Sequence, residues 1–360
     1  MKKQKINLAL VFGGRSAEHE VSIVSAQNIA KAINLKKYSL TLVGISQKGE
    51  WLLFKEPEFF SLKKISVSKK STSKRNIIPL TKNNNFYLKI KNTEKRIDAV
   101  FPVLHGPYGE DGTIQGLLKL YNVPFVGPGV LGSSISMDKD VSKRLLKEAG
   151  LPIGKYLVFK NERCISFEKI KKNLGLPFFI KPANLGSSVG ISKVKNRAEF
   201  TTALKKAFCF DDKVIIEKYI PGKEIECSVL GNENPIASIP GEIIPTHDFY
   251  SYEAKYLDEN GAKMAIPANI SKTLINKFQD LAIKTFKTLC CEGMGRVDFF
   301  LTPQNEIYIN EINTIPGFTS ISMYPQLWEK SGISYPVLIN ELIEFGLKKF
   351  EREKKLKTIR

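Results

Sequence analysis

Ile6 to Phe12 is an apolar run of strand length, followed by Gly13-Gly14 and then by apolar residues at helical spacing from about Glu20 to Ile33. A second strand-length run occupies Tyr38 to Ile45, so the order is strand, glycine turn, helix, strand, the opening of a parallel α/β unit. Asp98 to Leu104 repeats the strand pattern and ends in His105-Gly106. Between these regions, residues 55–96 are rich in Lys, Ser and Asn with short apolar islands, which predicts an irregular or hairpin-bearing insertion. Tyr121 to Gly132, with two prolines and three glycines, reads as a boundary. Val141, Leu145, Leu146 and Ala149 then follow helical spacing, with Gly150 as the stop and Pro152 beyond it.

Further on, Phe178 to Lys181 reads as a strand, Pro182 to Gly190 as a Gly- and Ser-rich loop, and Ile191 to Val194 as extended chain again. Val214 to Ile216 is another strand and runs into Glu217-Lys218-Tyr219-Ile220, which reads as an interdomain hinge. From Glu224 the short alternating segments predict a mostly antiparallel sheet. Ile339, Ile343 and Phe350 place a closing helix from Tyr335. The fold class expected is therefore α/β and α+β, multidomain.

Composition narrows the function. A chain of 360 residues with 42% hydrophobic content can bury two or three cores. The formal charge of +19 raises nucleic acid as a partner, but the lysines are scattered, with the longest basic tracts at Lys69 to Arg75 and Lys348 to Arg360. Scattered lysine is a solvated surface, so no nucleic-acid partner is expected. Five cysteines without C-x-x-C spacing, and three histidines, read as reduced thiols rather than a metal site. Cys290 and Cys291, at the end of an apolar helical pattern, read as buried structural thiols. No run reaches membrane-spanning length and Met1 to Lys5 leads into no cleavage-type segment, so the expected compartment is the cytoplasm, with no membrane partner. Arg15, Ser16 and Ala17 stand where a dinucleotide-binding loop needs its later glycines, which disfavours a nicotinamide dehydrogenase.

The strongest local chemistry is the pair Arg296-Val297-Asp298 and Glu311-Ile312-Asn313, each on an expected strand. Residues two apart on a strand share a face, and a hairpin about Gln304 sets Asp298 nearly opposite Glu311. Two carboxylates and an amide oxygen suit magnesium on nucleotide phosphates, the alternative being a solvated strand face. The loop Lys181 to Gly190 lets backbone N–H groups and two hydroxyls approach a phosphate, yet it lacks Gly-Lys-Ser/Thr and a following helix, so it is not a Walker A loop. Lys139 and Lys181 are candidates to neutralise phosphate. After the first glycine turn, Glu20 could bind a substrate ammonium, or the Ser16 to Ser22 stretch could simply cap a helix. His105 ends a strand at the presumed ligand edge, as a polar contact more than a general base. Phe249 to Tyr256 is a polar, aromatic loop of the functional or mobile kind. Pro316 to Met323 could hold a carboxylate on N–H groups and Ser hydroxyls.

Taken together, GGRSAEHEVS, LHGPYGEDGT, SMDKDVSK, KPANLGSSVG, EKYIPGKE, FYSYEAKYL, GRVDFFL and EINTIPGFTSISMYP resemble the D-alanine–D-alanine ligases of the ATP-grasp superfamily over nearly the whole chain, residues 55–96 matching least. The resemblance implies three domains: an N-terminal α/β substrate domain over 1–130, a central ATP-grasp subdomain over 131–216 and a C-terminal one over 217–360. By position it implies that Lys139, Lys181 and Ser188 contact phosphates, Glu217, Lys218 and Ile220 the adenine edge, Glu224 the ribose and Lys255 the terminal phosphate. Asp298, Glu311 and Asn313 would hold two Mg2+, or Mn2+. Glu20 would take the first ammonium, and Arg296, Gly317 and Ser322, with His105 nearby, would serve the transition state and the second carboxylate. Ser187, Tyr256 and Glu20 would link a loop closed over the site, excluding water from an acyl phosphate. The implied reaction is ATP-dependent formation of D-alanyl-D-alanine for peptidoglycan, by a homodimer. A D-alanine–D-lactate or D-alanine–D-serine ligase is the rival within the class, against which Tyr256 in Glu-Ala-Lys-Tyr argues. A basic nucleic-acid-binding protein is the rival from outside it.

Overall fold

The computed structural model describes residues 4–65, 76–161, 165–245 and 262–357. In the N-terminal region the strand Ile6–Gly13 runs parallel to Tyr38–Ile45 on one side and Ala99–Val103 on the other, and Trp51–Phe54 adds antiparallel at the edge. Leu8 through Phe12 are each at most 1% exposed, because this central strand is covered on both faces, the usual state of a parallel sheet. One face packs on the helix His19–Ala32 and on the closing helix Tyr335–Glu353, the other on Ile114, Leu118, Phe86 and Leu88. Gly13, at φ 91°, makes the turn out of the central strand, and a Cβ there would stand 2.4 Å from the Ile45 carbonyl oxygen.

The described part of residues 55–96 is more regular than its composition suggests. After a short helix, Glu56–Phe60, the strands Ile77–Lys82, Asn85–Ile90 and Thr93–Ile97 form an antiparallel meander. Asn83 and Asn84 both take positive φ, as a two-residue hairpin turn requires. Phe86 and Leu88, two apart, point into the core, a short alternation that the surrounding Lys and Asn obscure.

Two antiparallel sheets follow. The first runs in the order Ser192–Val194, Phe178–Pro182, Val214–Lys218, Tyr156–Phe159. Phe178, Ile180, Val214 and Ile216 join a core with the helices Phe167–Leu174 and Arg197–Phe208, so Phe179, Lys181 and Glu217 are left on the opposite face. The second has the order Ala262–Ala265, Gly241–Pro245, Lys223–Gly231, Gly293–Leu301, Ile307–Asn313. Ile225, Cys227, Val297 and Phe299 pack with the helix Lys272–Thr288, leaving Glu224, Glu226, Arg296, Asp298 and Phe300 on the other face. Asp298 pairs with Glu311, as the hairpin expectation requires, but Phe299 pairs with Ile309. Asn310 is thus an extra residue, a β-bulge of the kind that re-aims side chains beside active sites.

The helices Val130–Met137 and Lys139–Glu148 stand beside the second sheet, Leu146 sharing its core. The apolar spacing anticipated for the second helix gives way to a different inner face. Lys139, Ser142, Lys143 and Leu146 are buried, at steps of three and four, while Leu145 is 37% exposed. A helix facing a polar cleft buries paired charge, so hydrophobic periodicity misplaces its inner side. The cysteine expectation holds for Cys291, which is buried, and not for Cys290, which is exposed at φ 52° just past the helix end. Among the described residues no helix is long and apolar enough to cross a membrane.

Candidate active site

The polar faces of the two antiparallel sheets enclose a cavity of about 370 Å³. At one end its walls are apolar, including Phe179, Ile191, Ile220 and Phe300. The other end carries Lys139 and Lys181 beside Glu217 and Glu311. Lys139 is the first residue of its helix, where a cation opposes the helix dipole. Asp138 relieves this by capping the N–H groups of Asp140 and Val141, both at 3.0 Å, and the Lys139 ammonium reaches Glu311 at 3.1 Å and donates to the Leu185 carbonyl at 2.8 Å. Lys181 donates to Glu217 at 2.6 Å. Burial acts to raise the Glu217 carboxyl, but the lysines at 143 and 181 override it and bring it to about 2. Burial likewise acts to lower Lys181, and Glu217 and Glu311 hold it above the ordinary lysine range.

The loop between Pro182 and Ser192 forms one lip of this cavity. Ser187 and Ser188 are both left-handed, at φ 51° and 59°, a conformation that costs roughly 1–3 kcal/mol per non-glycine residue and concentrates at ligand clamps. Of the sequence candidates for nucleotide, Lys139, Lys181, Ser188, Glu217, Lys218, Ile220 and Glu224 all line the cavity. Lys255 lies outside the described residues, as does Tyr256.

A second cavity of about 110 Å³ adjoins the first, sharing Gly186, Ser187, Ile243 and Glu311 with it. His105, Arg296, Asn313, Gly317 and Ser322 line it, as does Ser187. Arg296 donates to both oxygens of Asp298 at 2.8 Å and pairs with Glu226 at 2.8 Å, while Asn313 donates to Asp298 at 2.9 Å. Asp298 and Glu311, apposed across the hairpin, are thus each neutralised by a protein cation, Arg296 and Lys139. Among the described residues no three His, Cys, Asp or Glu side chains cluster as metal ligands. Two apposed carboxylates with the Asn313 amide beside them form an all-oxygen donor set, which fits a hard divalent cation rather than a soft one.

Glu20 is a correction. Its carboxylate points to Lys64 at 3.7 Å, both side chains about half exposed, and it lines neither cavity. Glu18 takes the place expected of it: it lines the smaller cavity and accepts a hydrogen bond from the Ser187 hydroxyl. Glu18 stands just before the helix His19–Ala32 and Glu20 in its first turn, and the two carboxylates part company, Glu18 meeting Ser187 and Glu20 meeting Lys64. The expected link of Ser187 to Glu20 is therefore a link to Glu18.

His105 is buried in the wall with both ring nitrogens engaged. Nδ1 lies 2.9 Å from the Ile315 carbonyl and Nε2 3.2 Å from the Ser25 hydroxyl, which accepts from the Phe318 N–H at 3.2 Å. Burial holds the imidazole below its ordinary range, so the neutral ring donates from Nδ1 to Ile315 and accepts from Ser25. Glu110 accepts from the N–H groups of Gly106 at 2.7 Å and Ile315 at 3.0 Å. Burial first, and the Glu18 charge second, raise its carboxyl to about 8. Ser25, His105 and Glu110, all from the N-terminal region, thereby fix the backbone from Ile315 to Phe318. Gly317 sits in that strip, where a Cβ would stand 2.6 Å from the Ser322 hydroxyl, and Ser322 in turn accepts from the Thr319 N–H at 3.0 Å. Glu18, Glu110, Ser25, Glu226 and Lys143 are the residues that sequence reading passed over. For Glu18, Glu110 and Lys143 the signal was present, since all three stand in the quoted motifs.

Two antiparallel sheets closing on a cleft with an apolar end and a cationic end, with a parallel α/β domain at the adjoining cavity, define an ATP-grasp fold. The family model described as D-ala D-ala ligase N-terminus matches residues 7–128, and that described as D-ala D-ala ligase C-terminus matches 145–344. The chain belongs to the D-alanine–D-alanine ligase family. It is 50% identical to the D-alanine–D-alanine ligase of Oceanobacillus iheyensis, over 100% of this chain and 99% of that one. To the D-alanine–D-alanine ligase A of Escherichia coli K12 it is 46% identical, over 99% of each. The structure of the D-alanine–D-alanine ligase from Coxiella burnetii superposes with a TM-score of 0.87 at 38% identity, covering 98% of this chain and 97% of that one. The VanG D-Ala:D-Ser ligase from Enterococcus faecalis gives 0.84 at 37%, covering 95% and 100%.

Proposed function

We propose that the protein joins two D-alanine molecules into D-alanyl-D-alanine at the expense of ATP, supplying the dipeptide for peptidoglycan precursors. The observation that carries this reading is the continuity of the two cavities. A cleft with an apolar slot and a lysine-lined end opens, at Glu311 and Ser187, into a small chamber bearing Glu18 and Arg296. The adenine ring fits the slot beside Phe179, Ile220 and Phe300, and the phosphates fit the lysine end. A carboxylate oxygen of the first D-alanine attacks the γ-phosphorus and ADP leaves. The amine of the second D-alanine then attacks the acyl carbon, phosphate leaves with the bonding pair, and the nitrogen gives up one proton as it becomes the amide.

No side chain needs to act as nucleophile; positioning and charge carry the catalysis. Glu18 is suited to the first ammonium, Arg296 to the charge that develops on the acyl oxygen, and the strip at Gly317 with Ser322 to the second carboxylate. Asp298, Glu311 and Asn313 would hold magnesium or manganese, two ions by the family pattern, and when bound these would neutralise the phosphate oxygens. Lys255 and Tyr256 belong to this reading through the family motif alone. The reduced-thiol composition and the use of ATP support a cytoplasmic setting. A homodimer is supported by the family resemblance, and light scattering would find twice the 40.5 kDa chain mass.

The test is ADP release from magnesium-ATP with D-alanine alone, L-alanine alone, and D-alanine plus D-serine or D-lactate. Release with D-alanine alone and the dipeptide as product is expected. Release confined to a mixture would move the second substrate to D-serine or D-lactate, and no release in any would overturn the ligase reading.

A further inference from the structure

Lys143 is the most deeply buried cation of the nucleotide region, 3% exposed, and it lines neither cavity. Its ammonium stands 3.1 Å from the Glu217 carboxylate, on the oxygen opposite the one that Lys181 holds. The same ammonium donates to the Asn310 carbonyl at 3.2 Å. Those two partners belong to different sheets: Glu217 ends a strand of the first, and Asn310 is the bulged residue of the second, next to Glu311. A bulge takes its extra residue out of the ladder, so its carbonyl needs another donor, which Lys143 supplies.

Burying a lysine is costly, and burial does hold Lys143 below the ordinary lysine range, so the arrangement calls for a reason. The charges give one. Lys139, Lys143 and Lys181 stand against three carboxylates, Glu217, Glu311 and Glu224, so the three cations just offset the three anions. Without Lys143 these carboxylates would outnumber the cations where a polyphosphate would sit, and Glu217 would pair with Lys181 alone. An anion shared between two cations leaves part of the field of Lys181 directed into the cavity, where a polyphosphate would sit.

We propose that Lys143 is a positioning residue for the nucleotide: from beneath the cleft it divides the charge of Glu217 with Lys181 and pins the Asn310 bulge that aims Glu311. This rests on the nucleotide reading of the larger cavity. It acts through Glu217 and Asn310 and touches no substrate.

The test is calorimetric binding of a non-hydrolysable ATP analogue with magnesium to the full chain, alongside KM for ATP and for D-alanine and the melting temperature. Lys143→Met should weaken analogue binding and raise the ATP KM by about 10- to 100-fold, the effect of a lost charge-assisted contact. The D-alanine KM should stay within about twofold, and Lys143→Arg should recover part of the loss. Because Lys143→Met leaves a buried carboxylate with one cation fewer, the double variant Lys143→Met/Glu217→Gln is measured as well. Its loss should be smaller than the product of the two single losses, as for residues acting through one another. Analogue binding by Lys143→Met within about twofold of wild type, an equal rise in both KM values, or strictly multiplicative losses would each overturn the proposal. Failure of the wild type itself to bind the analogue would overturn the nucleotide reading together with this one, which distinguishes the two failures.

Discussion

The larger and smaller cavities are built on different physical principles, although they share a wall. The larger is made by period-2 strands: each sheet turns alternate apolar residues to its own core and leaves Phe179, Lys181, Glu217 or Glu224 on the other face. Its polar groups are held by ion pairs with other side chains, as in Lys181 with Glu217 and Lys139 with Glu311. The smaller cavity joins strand residues of the second sheet, such as Arg296 and Asn313, to loops, and its key strip, Ile315 to Phe318, is held through its backbone by Ser25, His105 and Glu110 from the opposite end of the chain. Charge placement thus decides what the first can bind, and the docking of the N-terminal region decides the shape of the second.

The sharpest break of this comparison is at Glu311, the carboxylate the two cavities share, and at Asp298, its partner across the hairpin. Asp298→Asn or Glu311→Gln should cut ADP release at least about 1,000-fold, because both would serve the metal at the junction, with the melting temperature little changed. Residual activity within tenfold of wild type would remove them from that role. Next comes the acid behaviour of the larger cavity. The Glu217 carboxyl lies at about 2 in the folded chain against 4.5 ordinarily, so it contributes stability that is present above pH 4.5 and is lost as pH falls through about 2. The shift corresponds to about 3 kcal/mol, and Glu217→Gln should flatten the stability profile measured by denaturant titration across that window. An unchanged slope would mean that the lysines do not hold Glu217 as described.

Within the smaller cavity, Glu18→Gln should lower kcat/KM for D-alanine by about 100-fold, a charged hydrogen bond lost beside the substrate, while Glu20→Gln stays within about twofold because its pair is exposed. The reverse ranking would restore Glu20 to the site. A milder effect than at Glu18 is expected at Ser25→Ala, which strands the Phe318 N–H and loosens the strip, raising the D-alanine KM by about tenfold with the ATP KM unchanged. Equal changes in both would show that the strip is not held independently of the nucleotide cleft.

Much of this was legible in the chain before folding. Continuous apolar runs located the strands of the parallel sheet, which is covered on both faces, and short alternating segments from Glu224 located the second antiparallel sheet, because burial on one face of a strand writes itself into sequence with period two. The Arg296-Val297-Asp298 and Glu311-Ile312-Asn313 segments disclosed their own geometry for the same reason. The motif resemblance located the charged residues Lys139, Lys181, Glu217, Lys218, Glu224 and Glu311 of the larger cavity, with Ser187, Ser188 and Ile220, and left the apolar wall of Phe179, Ile191 and Phe300 unassigned. Lys139 and Lys143 escaped the periodic reading because a helix that buries cations inverts the apolar code, and Glu18 was confused with Glu20 because a motif fixes an order of residues and not a helical phase.

The sequence by itself determined the family, the elements that carry the motifs and the side chains that the two sheets offer to the cleft, since these follow from local spacing. Only the tertiary structure decided which of two glutamates faces the chamber, how the bulge at Asn310 aims Glu311, and that Ser25, His105 and Glu110 grip a strip 205 to 293 residues away. Those depend on contacts between distant segments, and no local pattern records which distant partner will satisfy a buried donor or charge.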